Sequence, residues 1–310
     1  MDLGGINPIL LLASLMVAAT PIIFAAMGEL VVERAGVLNL GVEGMMITGA
    51  VTGFALATIT GSALLGFVGA AVGGAALALL FGVLTQYLLS NQVATGLALT
   101  LFGLGFSSLL GQSYVGVRAP QMPSFDLPFL ADIPVLGPIL FRHDAIVYLG
   151  IILVFAVWYF LNHRRAGLVL RAVGENHDAA HALGYQVRRI RMLAIAFGGA
   201  CAGVGGAYLS LVRVPQWTEG VTAGAGWIAL AIVVFASWRP GRLLAGAYLF
   251  GGITILQLNL QAAGAKVPVE LLSMSPYVIT IIVLVFLSAG RGKAALGAPG
   301  SLGRSFHAAH

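Results

Sequence analysis

Residues 192–212 read MLAIAFGGACAGVGGAYLSLV, an apolar run without a charged side chain. A helix of about 20 apolar residues is long enough to cross the hydrocarbon core of a bilayer. The run therefore predicts a transmembrane helix, and its small residues would let neighbouring helices approach closely. Charged residues make up only 9% of the 310-residue chain, so the same interpretation extends to the rest. We predict an all-α fold, a polytopic transmembrane helical bundle.

Further apolar runs lie on both sides of this one and predict about eight to ten spans in a single transmembrane domain, residues 1–310. The runs cover residues 8–27, 44–60, 62–89, 92–111, 144–162, 192–212, 221–238, 243–263 and 271–289. The polar segment 28–44 leaves two possibilities open. It forms either a cytoplasmic loop or a broken, re-entrant element, and the second would change the number of crossings.

Two segments rich in small residues look alike. They read FVGAAVGGAALAL at residues 67–79 and FGGACAGVGGAYLSL at residues 197–211. Glycines four residues apart, such as Gly199 and Gly203, favour close packing of helix backbones. The likeness is typical of the internal repeats of transporters, and shared low complexity explains it almost as well.

Arginine placement predicts the orientation of the bundle. Six of the sixteen cationic residues lie in the polar loop 163–191, so the positive-inside rule puts this loop in the cytoplasm, together with the tail 291–310. The loop 112–143 then lies outside the cell. It contains five of the twelve prolines, and we expect a packed, irregular external cap.

The centre of the cytoplasmic loop reads GENHDAAHALG at residues 174–184 and predicts a short capped helix with an alanine-rich face. Such a helix either docks onto another protein or lies on the membrane surface. A surface anchor needs a large apolar face with Trp, Phe or Leu, and this face is mostly alanine. Docking is therefore the favoured interpretation.

The segment 28–44 is the second polar feature, with four charged residues and Asn39 among apolar neighbours. Irregular backbone at membrane depth persists only against protein or a water-filled cavity. Asn39 and Glu43 are therefore our candidates for a polar element beside a translocation pathway. The alternative is that Glu33 and Arg34 are interfacial loop charges and that Asn39 caps the next helix.

Several kinds of chemistry find no support in the sequence. The chain has no phosphate-cradling loop, since Gly292-Lys293 is followed by Ala294 and lacks the first glycine of that motif. It has no nucleophile elbow and no zinc-protease motif. His177 and His181 are four residues apart but have no converging ligands. We expect no enzyme activity, no cofactor, no metal and, because topology explains the net charge of +5, no nucleic-acid partner.

An ion-coupled secondary transporter is the main competing interpretation, because it also needs many spans. It requires an ionisable group well inside a span. The runs 144–162, 192–212 and 243–263 have no internal acidic or basic residue, and Gln257, Asn259 and Gln261 are the polar residues of the last. Glu29, Glu43, Glu219 and Glu270 lie near the ends of predicted spans. Coupling by a membrane-embedded carboxylate is therefore poorly supported.

The sequence DAAHALG at residues 178–184 resembles the Glu-Ala-Ala-x-x-x-Gly loop through which permeases of ATP-binding-cassette (ABC) importers dock on their ATPase, with Asp in place of Glu. Residues 174–187, together with ERAGVLNLGVEGM at 33–45, resemble the branched-chain amino acid, ribose and nucleoside permease group. The nearest match is its simple-sugar and nucleoside branch. The resemblance extends over nearly the whole chain, including residues 227–252, and departs from the fuller loop motif after Gly184.

This resemblance implies an inner-membrane permease subunit of a bacterial ABC importer. Its partners would be an ATPase, a second permease subunit, an external substrate-binding lipoprotein and membrane lipid. Nucleosides are the first substrate expected, simple sugars the second and riboflavin-like compounds the third.

The same resemblance implies that the helix in the cytoplasmic loop contacts the ATPase. Asn176 would cap it, an acid in the first turn would suit the helix dipole, and Gly184 would end it in a left-handed conformation. The residues expected to couple the permease to the ATPase are Glu175, Asn176, Asp178, Ala179, Ala180, Leu183 and Gly184.

Overall fold

The computed structural model describes residues 8–126, 133–262, 268, 271, 274, 275, 277–279, 281, 282, 285 and 297–307. Its helices are α1 (Pro8–Arg34), α2 (Val42–Thr60), α3 (Ala63–Gly82), α4 (Gln92–Gly111), α5 (Leu136–Leu140), α6 (Ala145–His163), α7 (Arg165–Glu175), α8 (His177–Ala182), α9 (Val187–Tyr208), α10 (Ala225–Phe235) and α11 (Pro240–Ala262). The strands β1 (Ser124–Asp126) and β2 (Arg142–Asp144) form an antiparallel hairpin.

The predicted all-α, polytopic fold is confirmed. Seven helices in the described part of the chain are long and apolar enough to cross a membrane. Wide π-helical turns extend α3 to Tyr87 and α9 to Arg213, so these two helices reach close to their predicted lengths. The predicted span 271–289 lies largely outside the described residues, and residues 297–307 of the predicted tail 291–310 are described.

The predicted span 221–238 is wrong in its extent. The helix there, α10, has 11 residues, which at about 1.5 Å per residue is too short to cross a bilayer by itself. An irregular turn precedes it, with left-handed glycines at Gly220 and Gly224. Hydropathy could not separate this turn from the helix because both are built from small and apolar residues.

The first span is longer than predicted. It continues through Glu29 and Glu33 to Arg34, and both carboxylates are buried in the bundle. The loop that follows, residues 35–41, is also packed in protein, and its turn places Gly36 at a φ of 83°. The polar residues of segment 28–44 therefore face protein, as irregular backbone inside a membrane protein requires.

Glycines bring α2, α3 and α9 into close contact at the centre of the bundle. A Cβ on Gly203 would lie 2.1 Å from the Ala70 carbonyl oxygen, and one on Gly206 would lie 1.9 Å from the Met46 carbonyl oxygen. A Cβ on Gly74 would lie 2.2 Å from the Gly199 carbonyl oxygen. The two similar glycine-rich segments, in α3 and α9, thus pack directly against each other.

The loop predicted to be external forms a cap over one end of the bundle. Ala119 N–H donates to the Pro215 carbonyl oxygen at 3.0 Å, and isolated bridges join Val115 to Trp217 and Arg118 to Gln216. Trp217 is buried beneath the cap. The loop is therefore tied to the segment that leads into α10.

We expect Gly206→Ala to lower the free energy of unfolding of the purified protein by about 1–3 kcal/mol, because the added methyl group forces α2 and α9 apart. The matched control is Gly105→Ala, where nothing lies within 4 Å of an added Cβ. Thermal unfolding in detergent measures both variants. Equal stability of the two would show that the close α2–α9 contact is unnecessary.

Candidate functional site

Helix α8 has the capped geometry predicted for the cytoplasmic loop. The Asn176 side-chain oxygen accepts a hydrogen bond from Ala179 N–H at 2.9 Å. At the other end Gly184 has a φ of 87°, and its N–H donates to the His181 carbonyl oxygen at 2.8 Å. Asp178 lies in the first turn, where the helix dipole stabilises an acid.

The two sides of α8 have different surroundings. Asp178 and Ala179 are exposed, and Leu183 is 79% exposed. Ala180 is only 3% exposed and does not lie on the exposed side of the helix with Ala179 and Leu183. It lies in a small apolar cluster whose other buried members are Val173, Val187 and Phe306. Ala180 therefore seats the helix on the protein, and the free face includes Asp178, Ala179 and Leu183.

The described part of the C-terminal tail, residues 297–307, holds α8 in place. The Ser301 hydroxyl oxygen accepts a hydrogen bond from His177 N–H at 3.2 Å. The Phe306 ring packs edge-on to His177 and His181, with centroids 5.5 and 5.1 Å apart. Sequence reasoning missed this role, although Phe306 stands out as the one aromatic residue in a small, polar tail.

Arg191 connects the tail, α8 and the bundle. Its side chain is completely buried and donates hydrogen bonds to the carbonyl oxygens of Ala35 at 3.1 Å and Arg304 at 3.0 Å. It also donates to the Gln86 side-chain oxygen at 3.4 Å and to His177 Nδ1 at 3.2 Å. All four acceptors are neutral groups, and these hydrogen bonds help to offset the cost of burying the charge.

His177 must be neutral to take part in this network. A guanidinium can only donate, so Nδ1 of His177 has to accept. Burial lowers the pKa of His177, and the neighbouring Arg191 charge lowers that pKa further. Protonation would place a second cation against Arg191 and remove the acceptor.

We therefore expect acidification to loosen α8. The lowered pKa means that the folded state binds fewer protons than the unfolded state near pH 6, so this contribution to stability is complete above about pH 6.5 and is lost as the pH falls through the folded-state pKa. Amide hydrogen exchange in residues 176–184, corrected for intrinsic rates, should accelerate between pH 7.5 and 5.5.

The matched control for this experiment is His177→Gln, which removes the titrating group. In this variant, amide hydrogen exchange of the same residues, corrected for intrinsic rates, should not depend on pH. An identical pH dependence in both proteins would rule out His177 as the cause.

Glu43 has a structural partner in the short helix α10. Its carboxylate accepts hydrogen bonds from the Thr222 hydroxyl at 2.5 Å, Gly224 N–H at 2.9 Å and Gly226 N–H at 2.7 Å. The unpaired amides at a helix N-terminus favour a negative charge. Glu43, at the start of α2, therefore fixes the position where α10 begins inside the bundle.

Asn39 stabilises the buried loop before α2. It is fully buried, its side-chain oxygen accepts from Gly41 N–H at 3.0 Å, and its side-chain nitrogen donates to Glu29 Oε2 at 3.3 Å. Glu33 Oε2 accepts from the Trp238 indole N–H. The structure thus brings Asn39 beside Glu29, a residue that sequence reasoning placed near a span end.

A cavity of about 330 Å³ lies between α1, the end of α9, α10 and α11, a size typical of small-molecule sites. Its polar lining residues include Arg213, Thr222, Thr254 and Gln257, beside apolar side chains such as Phe250. Sequence reasoning noted Gln257 but missed the other three, which lie in apolar runs or an irregular turn.

Neither predicted pathway residue lines this cavity. Glu43 lies directly behind the wall, because it accepts the hydrogen bond from Thr222. Asn39 lies farther away, in the loop between α1 and α2. Their place beside a translocation pathway remains a prediction, with Glu43 the nearer of the two.

Comparison with known proteins identifies the family. Residues 11–287 match the family described as the branched-chain amino acid transport system permease component. The putative glucose ABC transporter permease protein TsgC13 of Haloferax volcanii is 40% identical, over 96% of this chain and 97% of its own length.

Two similar relatives have nucleoside names. The nucleoside ABC transporter permease protein NupC of Lactococcus lactis is 33% identical over 89% of this chain and 91% of its own. The guanosine ABC transporter permease protein NupQ of Bacillus subtilis is 31% identical over 96% of this chain and 98% of its own.

These matches extend over nearly the whole chain and agree with seven apolar, membrane-length helices in the described part. They confirm the resemblance to the simple-sugar and nucleoside branch and favour an ABC permease over an ion-coupled secondary transporter. The protein is a multi-pass inner-membrane permease subunit of an ABC importer, a type of transporter that works with an ATPase and a substrate-binding protein. The chain belongs to the family of branched-chain amino acid transport system permease components.

Proposed function

We propose that this permease translocates a nucleoside. The observation that carries the proposal is the composition of the cavity, in which Arg213, Thr222, Thr254 and Gln257 offer hydrogen bonds beside the Phe250 ring. Such a lining suits a solute with a flat apolar face and a polar rim. Two of the three relatives described above have nucleoside names.

A simple sugar is the second candidate. It is favoured by the relative with the highest identity of the three, which has a glucose name. A sugar would use the same hydrogen-bonding groups, but it would gain less from Phe250 because it has no aromatic ring.

We propose further that the free face of α8 docks on the ATPase. Leu183 is its largest exposed apolar side chain, and the flanking Asp178 and Ala179 leave it accessible. Glu175, Asn176 and Gly184 would shape the helix rather than make the central contact. Apolar side chains that enter a partner's pocket dominate the energy of protein interfaces.

A physical connection leads from this face to the cavity. Movement of α8 reaches Arg191 through His177, and Arg191 is bonded to the Ala35 carbonyl at the end of α1. Arg191 itself belongs to α9. Helix α1 contributes Ile22 to the cavity wall, and α9 contributes the residues after Tyr208. Because both helices are connected to α8 in this way, force on α8 would change the width of the cavity.

We propose that a second permease subunit and an external binding lipoprotein complete the importer. The exposed side chains of Trp227 and Tyr277 line another cavity, of about 510 Å³, next to the first. Phe250 and Ile228 border both cavities. A second permease seated here would enclose the pathway, and the lipoprotein would deliver solute to the side that bears residues 112–143.

We expect Leu183→Asp to weaken binding of the ATPase by about 30-fold, corresponding to about 2 kcal/mol, and to abolish ATP-driven nucleoside uptake. Binding of the purified ATPase subunit to the permease in detergent measures the first effect, and radiolabelled uptake measures the second. Thermal stability should not change, because the Leu183 side chain is largely in solvent.

The matched control is Leu136→Asp, which changes an exposed leucine at the opposite, predicted external end. Its ATPase binding should equal that of the unchanged protein. Full ATPase binding by Leu183→Asp would contradict the proposed docking face.

A further inference from the structure

A large basic cavity lies at the same end of the bundle as α8. It measures about 960 Å³ and is bordered by the end of α1, the end of α6, α7 and the start of α11. Four arginines line it, and Glu175 is the single carboxylate among the described lining residues. The arginines are Arg34, Arg171, Arg239 and Arg242.

Neutral groups hold two of the four arginines in place. Arg34 donates to the carbonyl oxygens of Trp238 at 3.0 Å and Gly297 at 3.2 Å. Arg171 donates to the Asn162 side-chain oxygen at 3.4 Å. Within the described part of the chain none of the four forms an ion pair. Four like charges around one cavity repel one another, so a bound anion would stabilise this arrangement.

Backbone geometry adds to the attraction for an anion. Helix α11 begins at Pro240, and Gly241 and Arg242 of its first turn, where backbone amides have no partner within the helix, line the cavity. Helix N-termini bind phosphate through such amides and the helix dipole. Ser237 and Trp238 precede the helix in left-handed conformations, with φ of 51° and 56°. This turn presents the Trp238 carbonyl oxygen to Arg34, which orients the guanidinium at the cavity wall.

The cavity also borders the lipid-facing surface of α6. Leu149, Ile152, Phe155 and Trp158 form an exposed stripe along this helix, with the spacing of one helical face. Trp158 lies near the end of α6, lines the cavity and is 47% exposed. Tryptophan concentrates at the level of the lipid headgroups. An acyl chain could therefore lie along the stripe while its headgroup enters the cavity.

We propose that this cavity binds the phosphate group of an anionic phospholipid from the cytoplasmic leaflet. Arg239 and Arg242 are the exposed arginines of the four and contact the headgroup at the entrance of the cavity. Arg171 and the first amides of α11 contact the phosphate more deeply. Because Arg34 bonds to Gly297, which leads into the tail that holds α8, the bound lipid would also stabilise the coupling helix.

The test uses the full chain in detergent, titrated with short-chain phosphatidylglycerol or with phosphatidylcholine of the same chain length. Thermal shift and native mass spectrometry report binding. Phosphatidylglycerol should bind more tightly, and the double variant Arg239→Gln/Arg242→Gln should lower its affinity by about fivefold for each arginine, as expected for about 1 kcal/mol per charge. Neither side chain makes a hydrogen bond in the described structure, so the fold should be retained.

The matched control is Arg165→Gln/Arg189→Gln, which removes two exposed charges from the same end of the bundle but outside the cavity. Its affinity for phosphatidylglycerol should change less than about twofold, because solvent screens exposed charges that do not contact the lipid. Equal binding of the two lipids, or equal losses in the two double variants, would overturn the proposal.

Two further arms separate the sources of phosphate. Inorganic phosphate or ATP at millimolar concentration should not reproduce the thermal shift, and an equal shift with either would assign the cavity to a soluble anion. If Arg239→Gln/Arg242→Gln lost ATPase binding but kept phosphatidylglycerol binding, the cavity would belong to a protein interface and the lipid assignment would be wrong.

Discussion

The buried guanidinium of Arg191 is the constraint on which the coupling end of this permease depends. A cation removed from water must have its donors satisfied, and here Ala35, Gln86, His177 and Arg304 supply four neutral acceptors. They come from the end of α1, the π-helical end of α3, α8 and the tail. Loss of any one leaves a buried donor unpaired, which costs about 1–3 kcal/mol. One side chain thus makes four separate segments a single mechanical unit.

Buried polar groups are also paired deeper in the bundle, where the Glu43 carboxylate accepts hydrogen bonds from the first amides of α10. A half-helix that begins inside a membrane protein needs an internal acceptor for these groups. The cavity forms where this half-helix meets α1, α9 and α11. The carboxylate therefore shapes the cavity indirectly, through Thr222 and the position of α10.

Sequence reasoning predicted the features that depend on local pattern: the long apolar helices, the Asn176 cap and the left-handed Gly184. It failed where tertiary contacts determine where a helix begins or which of its sides is buried. Apolar composition made residues 221–238 look like a full span, although a carboxylate 181 residues earlier in sequence sets where the helix starts. It also could not place Ala180 on the inner face of α8, because the Phe306 ring that covers it comes from the distant tail. The family resemblance, in contrast, depended on contiguous motifs and was confirmed.

The central claim is that ATP hydrolysis drives this permease through α8. The most direct measurement is nucleoside uptake into proteoliposomes that contain the permease, its proposed second permease, the ATPase and the binding protein, with ATP on the ATPase side and an ionophore present. Our account predicts uptake that requires ATP and the ATPase and persists when the ion gradients are collapsed. Uptake that stops with the ionophore, or that proceeds on a gradient without the ATPase, would contradict it.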